Sequence, residues 1–214
     1  MTRYFRRWAL VLLVLPTSYH TQALDVTVTT ASGERLSHTV VWATPDDPKV
    51  IEHWPTMHYF MDQVNRQFKP HILPIPKGAS VSFTNSDTIL HHVYSFSPAK
   101  TFELKLYKSN EREPVVFNHA GIVNVGCNIH DWMLAYIVVV DTPYFSITDT
   151  QGMAQLSLPE GVYTLSIWHE RFSRLGEPES QKLTYHGQSQ LQVKIKQALA
   201  APLPLFHTDE FDDY

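Results

Sequence analysis

GCNIHDWM, residues 126–133, holds the only cysteine of a 214-residue chain, three residues before a histidine and six before a methionine. The start of the chain makes a lone thiol unusual. Arg3, Arg6 and Arg7, the apolar run WALVLLVL and the small-residue site Thr21-Gln22-Ala23 read as an export signal. The run is too short to span a bilayer. We therefore expect a cleaved signal peptide over residues 1–23, a mature chain starting near Leu24, a periplasmic location and no stable membrane anchor. Oxidising compartments pair cysteines into disulfides. An exported thiol without a partner is an oxidation liability unless it is buried, linked to another chain or consumed as a metal ligand. Read alone, Cys127 would be a buried structural thiol. His130 and Met133 favour the ligand.

Working outward, the chain carries little helical signal. Runs such as LDVTVTT, HTVVWAT, HILPIPKGASVSFTN, HHVYSFS, AYIVVV, VYTLSIW and QLQVKIK are rich in valine, threonine and aromatic residues and are separated by Gly, Pro, Asn and Asp. Many short strands with turns between them predict an all-β architecture of sandwiches, and not βαβ units. The mature length exceeds one small sandwich, so two are expected. Removing the signal segment takes away three arginines and no acid, which leaves 14 basic against 21 acidic residues. That balance argues against nucleic acid as a partner.

Ligand softness dictates which metal GCNIHDWM would take. One thiolate, two imidazoles and a weak thioether make a trigonal site with a long axial ligand, which suits copper cycling between two oxidation states. Cys127, His130 and Met133 offer three of these donors. The second imidazole is available upstream, as His91 or His92 in SFTNSDTILHHVYSF. The two halves must meet as adjacent strand ends.

With these residues in view, the region from about Met61 to Val140 resembles the cupredoxins, the small blue copper proteins. The CxxHxxM spacing of Cys127, His130 and Met133 is similar to the short ligand loop of amicyanin. The stretch from Phe83 through Asn85 to His91, then Val93 and Phe96, resembles the plastocyanin segment that supplies the first histidine, and its count lands on His91. HHVYSFSPAKTFEL together with GCNIHDWM resembles the cupredoxins often labelled methylamine utilisation proteins. The resemblance implies a Greek-key β-sandwich and one type 1 (blue) copper centre with His91, Cys127, His130 and Met133 as ligands. Two departures stand out. His92 occupies the place of an asparagine that pins the ligand loop, and could take over that role near Asn128 or be the ligand itself. Val125 and Gly126 stand where an aromatic residue often precedes the cysteine. Glu103 is an alternative fourth donor, more simply read as a solvated carboxylate. His119 is expected in a surface turn, and His53, His58, His71, His169 and His207 lie outside any ligand spacing. Trp132, Leu134 and Ala135 read equally as packing or as an apolar docking patch beside His130.

The outer regions supply the second sandwich. TDTQGMAQLSLPEGVYTLSIWHE, residues 148–170, resembles the carboxypeptidase-regulatory-like, transthyretin-like modules, and VTVTTASGERLSHTVVWATP, residues 26–45, resembles their opening hairpin. The resemblance implies a discontinuous module, residues 24–54 and 141–197, around a copper domain at residues 55–140, followed by an acidic tail at 198–214. The alternative is two consecutive sandwiches, with the hairpin of residues 26–45 belonging to the copper domain. For function, the leading expectation is one-electron transfer between protein redox partners with copper as cofactor. The alternatives are a copper-handling protein and a non-redox binding module. Copper handling would call for exposed clusters of methionine or histidine, and the five methionines of this chain do not cluster. An enzyme needs an open coordination position or an acid/base constellation, and neither is visible, so the expectation is a carrier and not an enzyme.

Overall fold

Strict alternation sets the first strand: Leu24, Val26 and Val28 are fully buried, while Asp25, Thr27 and Thr29 between them are half-exposed. This is the period-two pattern of a strand with one face on a core. The computed structural model describes residues 22–51, 54, 57–107, 112–172 and 177–202, which form sixteen strands and one short 3-10 turn at Pro48–Val50. The described residues begin with β1 (Gln22–Thr29) and β2 (Val40–Pro45). They continue with β3 (His58–Val64), β4 (Gln67–Lys69), β5 (Ile72–Pro76), β6 (Ser80–Asn85), β7 (His91–Ser97), β8 (Lys100–Tyr107), β9 (Val115–Val116), β10 (Gly121–Cys127) and β11 (Leu134–Val140). They close with β12 (Phe145–Ile147), β13 (Met153–Leu158), β14 (Gly161–Trp168), β15 (Glu179–Tyr185) and β16 (Gln190–Lys194). Residues 1–21 of the expected signal peptide and 203–214 of the expected tail, with His53 and His207, lie outside the described residues.

β3 to β11 form one sandwich, in which a sheet of order β4-β3-β6-β9 faces a sheet of order β5-β11-β10-β7-β8. β3 pairs with β6 in parallel, and β5 with β11 likewise. Parallel neighbours cannot be joined by a tight hairpin, so the chain crosses between the two layers and returns, the Greek-key pattern expected for this region. Met61, Phe83, Val93, Phe117, Val123 and Ile137 fill the space between the layers.

The remaining strands form a second sandwich, with order β13-β1-β16 over order β12-β2-β14-β15. Leu24, Val41, Leu156, Tyr163, Leu165 and Phe172 are among its core residues. One expectation is corrected here. Residues 26–45 are not a hairpin, because β1 pairs with β13 and β16 while β2 pairs with β12 and β14. The ten residues between the two strands are too many for a tight turn. They cross from one layer to the other, burying Leu36 and Thr39 on the way, and Thr39 donates its N–H to the Thr148 hydroxyl.

A third apolar cluster joins the two sandwiches. Val40 and Trp42 of β2 and Trp168 of β14 meet Ile72 of β5 and Tyr136, Val138 and Val140 of β11. This contact explains why AYIVVV is an unbroken apolar run: β11 is buried on both faces and has no polar side to show.

Candidate metal centre

The pleat of β7 separates two neighbouring histidines. His91 and Val93 point inward and are fully buried, while His92 and Tyr94 face out and are half-exposed. β7 lies antiparallel to β10, with Val93 opposite Cys127 and Tyr94 opposite Gly126. That register brings the start of β7 to the end of β10. The Asn128 N–H donates to the His92 carbonyl at 3.0 Å, which ties the first residue of the following loop to β7. The Met133 N–H donates to the His130 carbonyl at 3.0 Å, a turn that folds His130 back toward the cysteine.

His91 Nδ1 lies 3.7 Å from Cys127 Sγ, and His130 Nδ1 lies 3.6 Å from it. The three donor atoms fall within 4.8 Å of one another, the one such group among the described residues. First-row metal bonds of about 2.0–2.3 Å would set such donors roughly 3.5–3.8 Å apart. Spacing and donor chemistry therefore fit a metal ion of the kind that takes nitrogen and sulfur. Met133, the fourth residue expected, is 3% exposed and belongs to the apolar cluster that holds Cys127. Cys127 is equally buried, whereas His130 keeps a partly exposed edge.

His92 is not part of the group. Its Nε2 meets the Glu103 carboxylate at 2.9 Å on the outer face. That contact also takes Glu103 out of the site. The pinning of the ligand loop foreseen for a His92 side chain is done by its main-chain carbonyl. His119 is exposed, His58 bonds to Ser80 and Ser82, His71 reaches Leu134 and Glu170, and His169 accepts the Arg171 N–H. Ala135 is fully buried, and Trp132 and Leu134 are half-buried. The exposed apolar side chains adjoining the donors in sequence are Leu90 and Ile129.

Sequence reasoning missed Asp87. Its carboxylate accepts from His91 Nε2 at 2.8 Å and from the backbone N–H groups of Asn65 and Arg66 at 2.6 and 2.9 Å. Asn65 and Arg66 both have positive φ, the conformation of a two-residue turn between β3 and β4. Asp87 thus docks that turn onto the histidine. Its own loop is shaped by Asn85, which accepts the Asp87 N–H and donates to the carbonyls of Ile89 and Tyr107. The signal was the NSD stretch before the histidines, since Asn and Asp bond their own backbone two residues on.

The electrostatics differ from donor to donor. Burial opposes ionisation of Cys127, but the His91 ring and backbone hydrogen bonds from His92 and Ile129 outweigh it and lower the thiol pKa. Burial likewise opposes charge on His91, yet Cys127 and Asp87 raise its pKa overall. Burial, with the nearby charges of His91 and Arg66, lowers that of His130. The thiolate of Cys127 and the neutral imidazole of His130 are the forms in which those groups bind a metal, whereas His91 favours its charged form and would give up its Nδ1 proton to the ion.

Comparison with models of protein families finds no match, and comparison with curated proteins finds none. Among solved structures, the chain is similar to a purple cupredoxin from Nitrosopumilus maritimus, at 22% identity over 38% of this chain and 99% of that one, TM-score 0.34. It is similar to amicyanin from Paracoccus versutus, at 17% identity over 47% and 97%, TM-score 0.36. A copper-containing nitrite reductase from Thermus scotoductus matches at 22% identity over 46% and 28%, TM-score 0.38.

Proposed function

We propose that this chain is an exported cupredoxin-like protein that holds one type 1 copper ion through His91, Cys127, His130 and Met133 and passes single electrons between protein partners. The observation that carries the reading is the convergence of two imidazole Nδ1 atoms, from separate elements, within 3.7 Å of the only thiol. Copper, when bound, would supply a one-electron couple. The chain's own residues do the rest. Asp87 holds His91 so that Nδ1 faces the thiol, the β3–β11 core excludes water from Cys127, and the partly exposed edge of His130 offers the approach from solvent. With Met133 as the fourth donor, the coordination shell would be closed and leave no open position for a substrate, which is why we read a carrier and not an enzyme. The leader read at residues 1–23 supports a periplasmic location.

The same reading divides the chain into a copper domain at residues 55–140 set within a split outer sandwich of residues 24–54 and 141–197. The pairing of β1 and β2 with β12 to β16 supports it. The test of the centre is metal content and an optical spectrum. We expect one copper per chain and, in the oxidised protein, intense thiolate-to-Cu(II) absorption that Cys127→Ala abolishes. A Cys127→Ala protein that keeps the band, or zinc as the only native metal, would sink the assignment.

A further inference from the structure

His71 stands just before β5, outside the group of converging donors, and both of its ring nitrogens face acceptors. Nδ1 lies 3.0 Å from the Leu134 carbonyl oxygen, and Nε2 lies 2.6 Å from the Glu170 carboxylate. A neutral imidazole has one N–H and can donate to only one of them; satisfying both requires the imidazolium. As the imidazolium, and only then, the ring bridges both acceptors. It joins two parts of the molecule that share no sheet: Leu134 opens β11 of the inner sandwich, and Glu170 follows β14 of the outer one. The His71 backbone carbonyl accepts the Tyr136 N–H at 2.9 Å, and the Tyr136 ring meets the imidazole edge-on at 5.6 Å. Tyr136 in turn packs on Trp168 at 5.2 Å, inside the apolar contact between the sandwiches.

We propose that His71 is a pH-dependent clasp, whose imidazolium fastens the outer sandwich, through Glu170, to the Leu134 carbonyl and so to the end of the loop that carries His130 and Met133. Leu134 directly follows Met133, so a pull on its carbonyl acts one peptide from that side chain. The surrounding groups favour this charge state. Glu170 is in direct contact, and the hydrogen bond to it outweighs burial and raises the His71 pKa. Tyr136 supplies a ring edge and no charge. Behind Glu170 stand His169 and His38, with Arg171 beside His169. His169 is buried, its Nδ1 accepts the Arg171 N–H, and burial lowers its pKa, so it favours the neutral form more than His71 does.

The direction in pH follows. A raised histidine pKa contributes stability fully below the unfolded value near 6.5, and that contribution fades as pH rises through the folded value above it. The Glu170 pKa is lowered from its ordinary 4.5 by the bond to His71, so its share is present above 4.5 and fades as pH falls through the lower folded value. The clasp is fully closed between about 4.5 and 6.5 and releases on the alkaline side, when one of its two acceptors must lose its donor.

NMR titration of the intact metal-free protein tests this, and its outcome does not depend on whether copper is the metal. We expect His71 to titrate above 6.5, the Leu134 carbonyl and Met133 methyl signals to move with the same midpoint, and Glu170→Gln to lower that midpoint. His71→Gln should abolish the alkaline movement at Leu134 and Met133 in a protein that is otherwise folded. A midpoint at or below 6.5 would overturn the clasp. So would a raised midpoint with Leu134 and Met133 unmoved, because that is an ordinary surface ion pair with no reach to the loop.

Discussion

His91 and His92 are chemically identical, and a single step along β7 sends one ring against Cys127 and the other against Glu103. The consequence is separable by mutation. His91→Ala removes one of three converging donors, so the thiolate-to-copper band should disappear. His92→Ala touches no donor atom and should leave the band in place with little change in affinity. If His92→Ala loses the band and His91→Ala keeps it, the assignment is reversed. Asp87 belongs at the same scale. Asp87→Asn keeps the shape but removes the charge that faces His91 Nε2, and losses of this kind typically weaken metal binding by about 10- to 100-fold. Competition with a copper chelator would measure it, and an unchanged affinity would mean that the two backbone bonds to Asn65 and Arg66 are the whole role of that carboxylate.

At the scale of elements, the turn between β12 and β13 is a sensitive point. Gly152 has φ +68, and a Cβ there would sit 2.9 Å from the Val28 carbonyl oxygen of β1. Its own carbonyl accepts the Val28 N–H at 2.9 Å, so this turn helps hold β1 against β13. Gly152→Ala should therefore cost about 1–3 kcal/mol, a fall in Tm of roughly 2–4 °C per kcal/mol for a chain of this size. Thermal unfolding followed by circular dichroism checks it, and the copper band at room temperature should not change. Gly126 is a second tight place. A Cβ there would lie 3.1 Å from the Tyr94 ring, so the neighbouring strand supplies an aromatic cover beside the cysteine that the β10 sequence itself lacks. Gly126→Val should displace Tyr94 and destabilise the β7–β10 pairing by about 1–3 kcal/mol through overpacking.

At the scale of the molecule, the two sandwiches share a buried apolar contact, which sets what each can do alone. A fragment spanning residues 55–141 contains every strand of the inner sandwich and all four proposed ligands, so it should fold and show the copper band. It would also expose Ile72, Tyr136, Val138 and Val140, which are now between 1% and 5% accessible. An apolar patch of that kind promotes association, and sedimentation should report self-association that Val138→Thr with Val140→Thr relieves. Deleting residues 24–50 removes β1 and β2, the strands that β12, β13, β14 and β16 pair with. The copper band should survive while residues 141–196 become sensitive to protease. Loss of the band with a resistant C-terminal region would mean that the two strands serve the inner sandwich instead.

Local pattern was enough to determine the all-β class, most of the strands, and the placing of Cys127, His130 and Met133 on one strand end and loop. Alternation and turn residues are properties of a few neighbouring positions, and CxxHxxM spacing needs no distant partner. What was not legible depends on pairing across the chain. Period two marks β7 as a strand but does not set its phase when two histidines sit side by side; the register against β10 does. The stretch from 26 to 45 reads as two strands and a turn, yet only the competing partners β13, β14 and β16 decide that its halves go to opposite layers. AYIVVV announces burial without saying what covers it, and the cover is the outer sandwich. Asp87 and His71 are single polar residues in loops, with no periodicity to expose them. Their roles come into being only when folding brings Asn65, Arg66 and His91 to one, and Leu134 and Glu170 to the other.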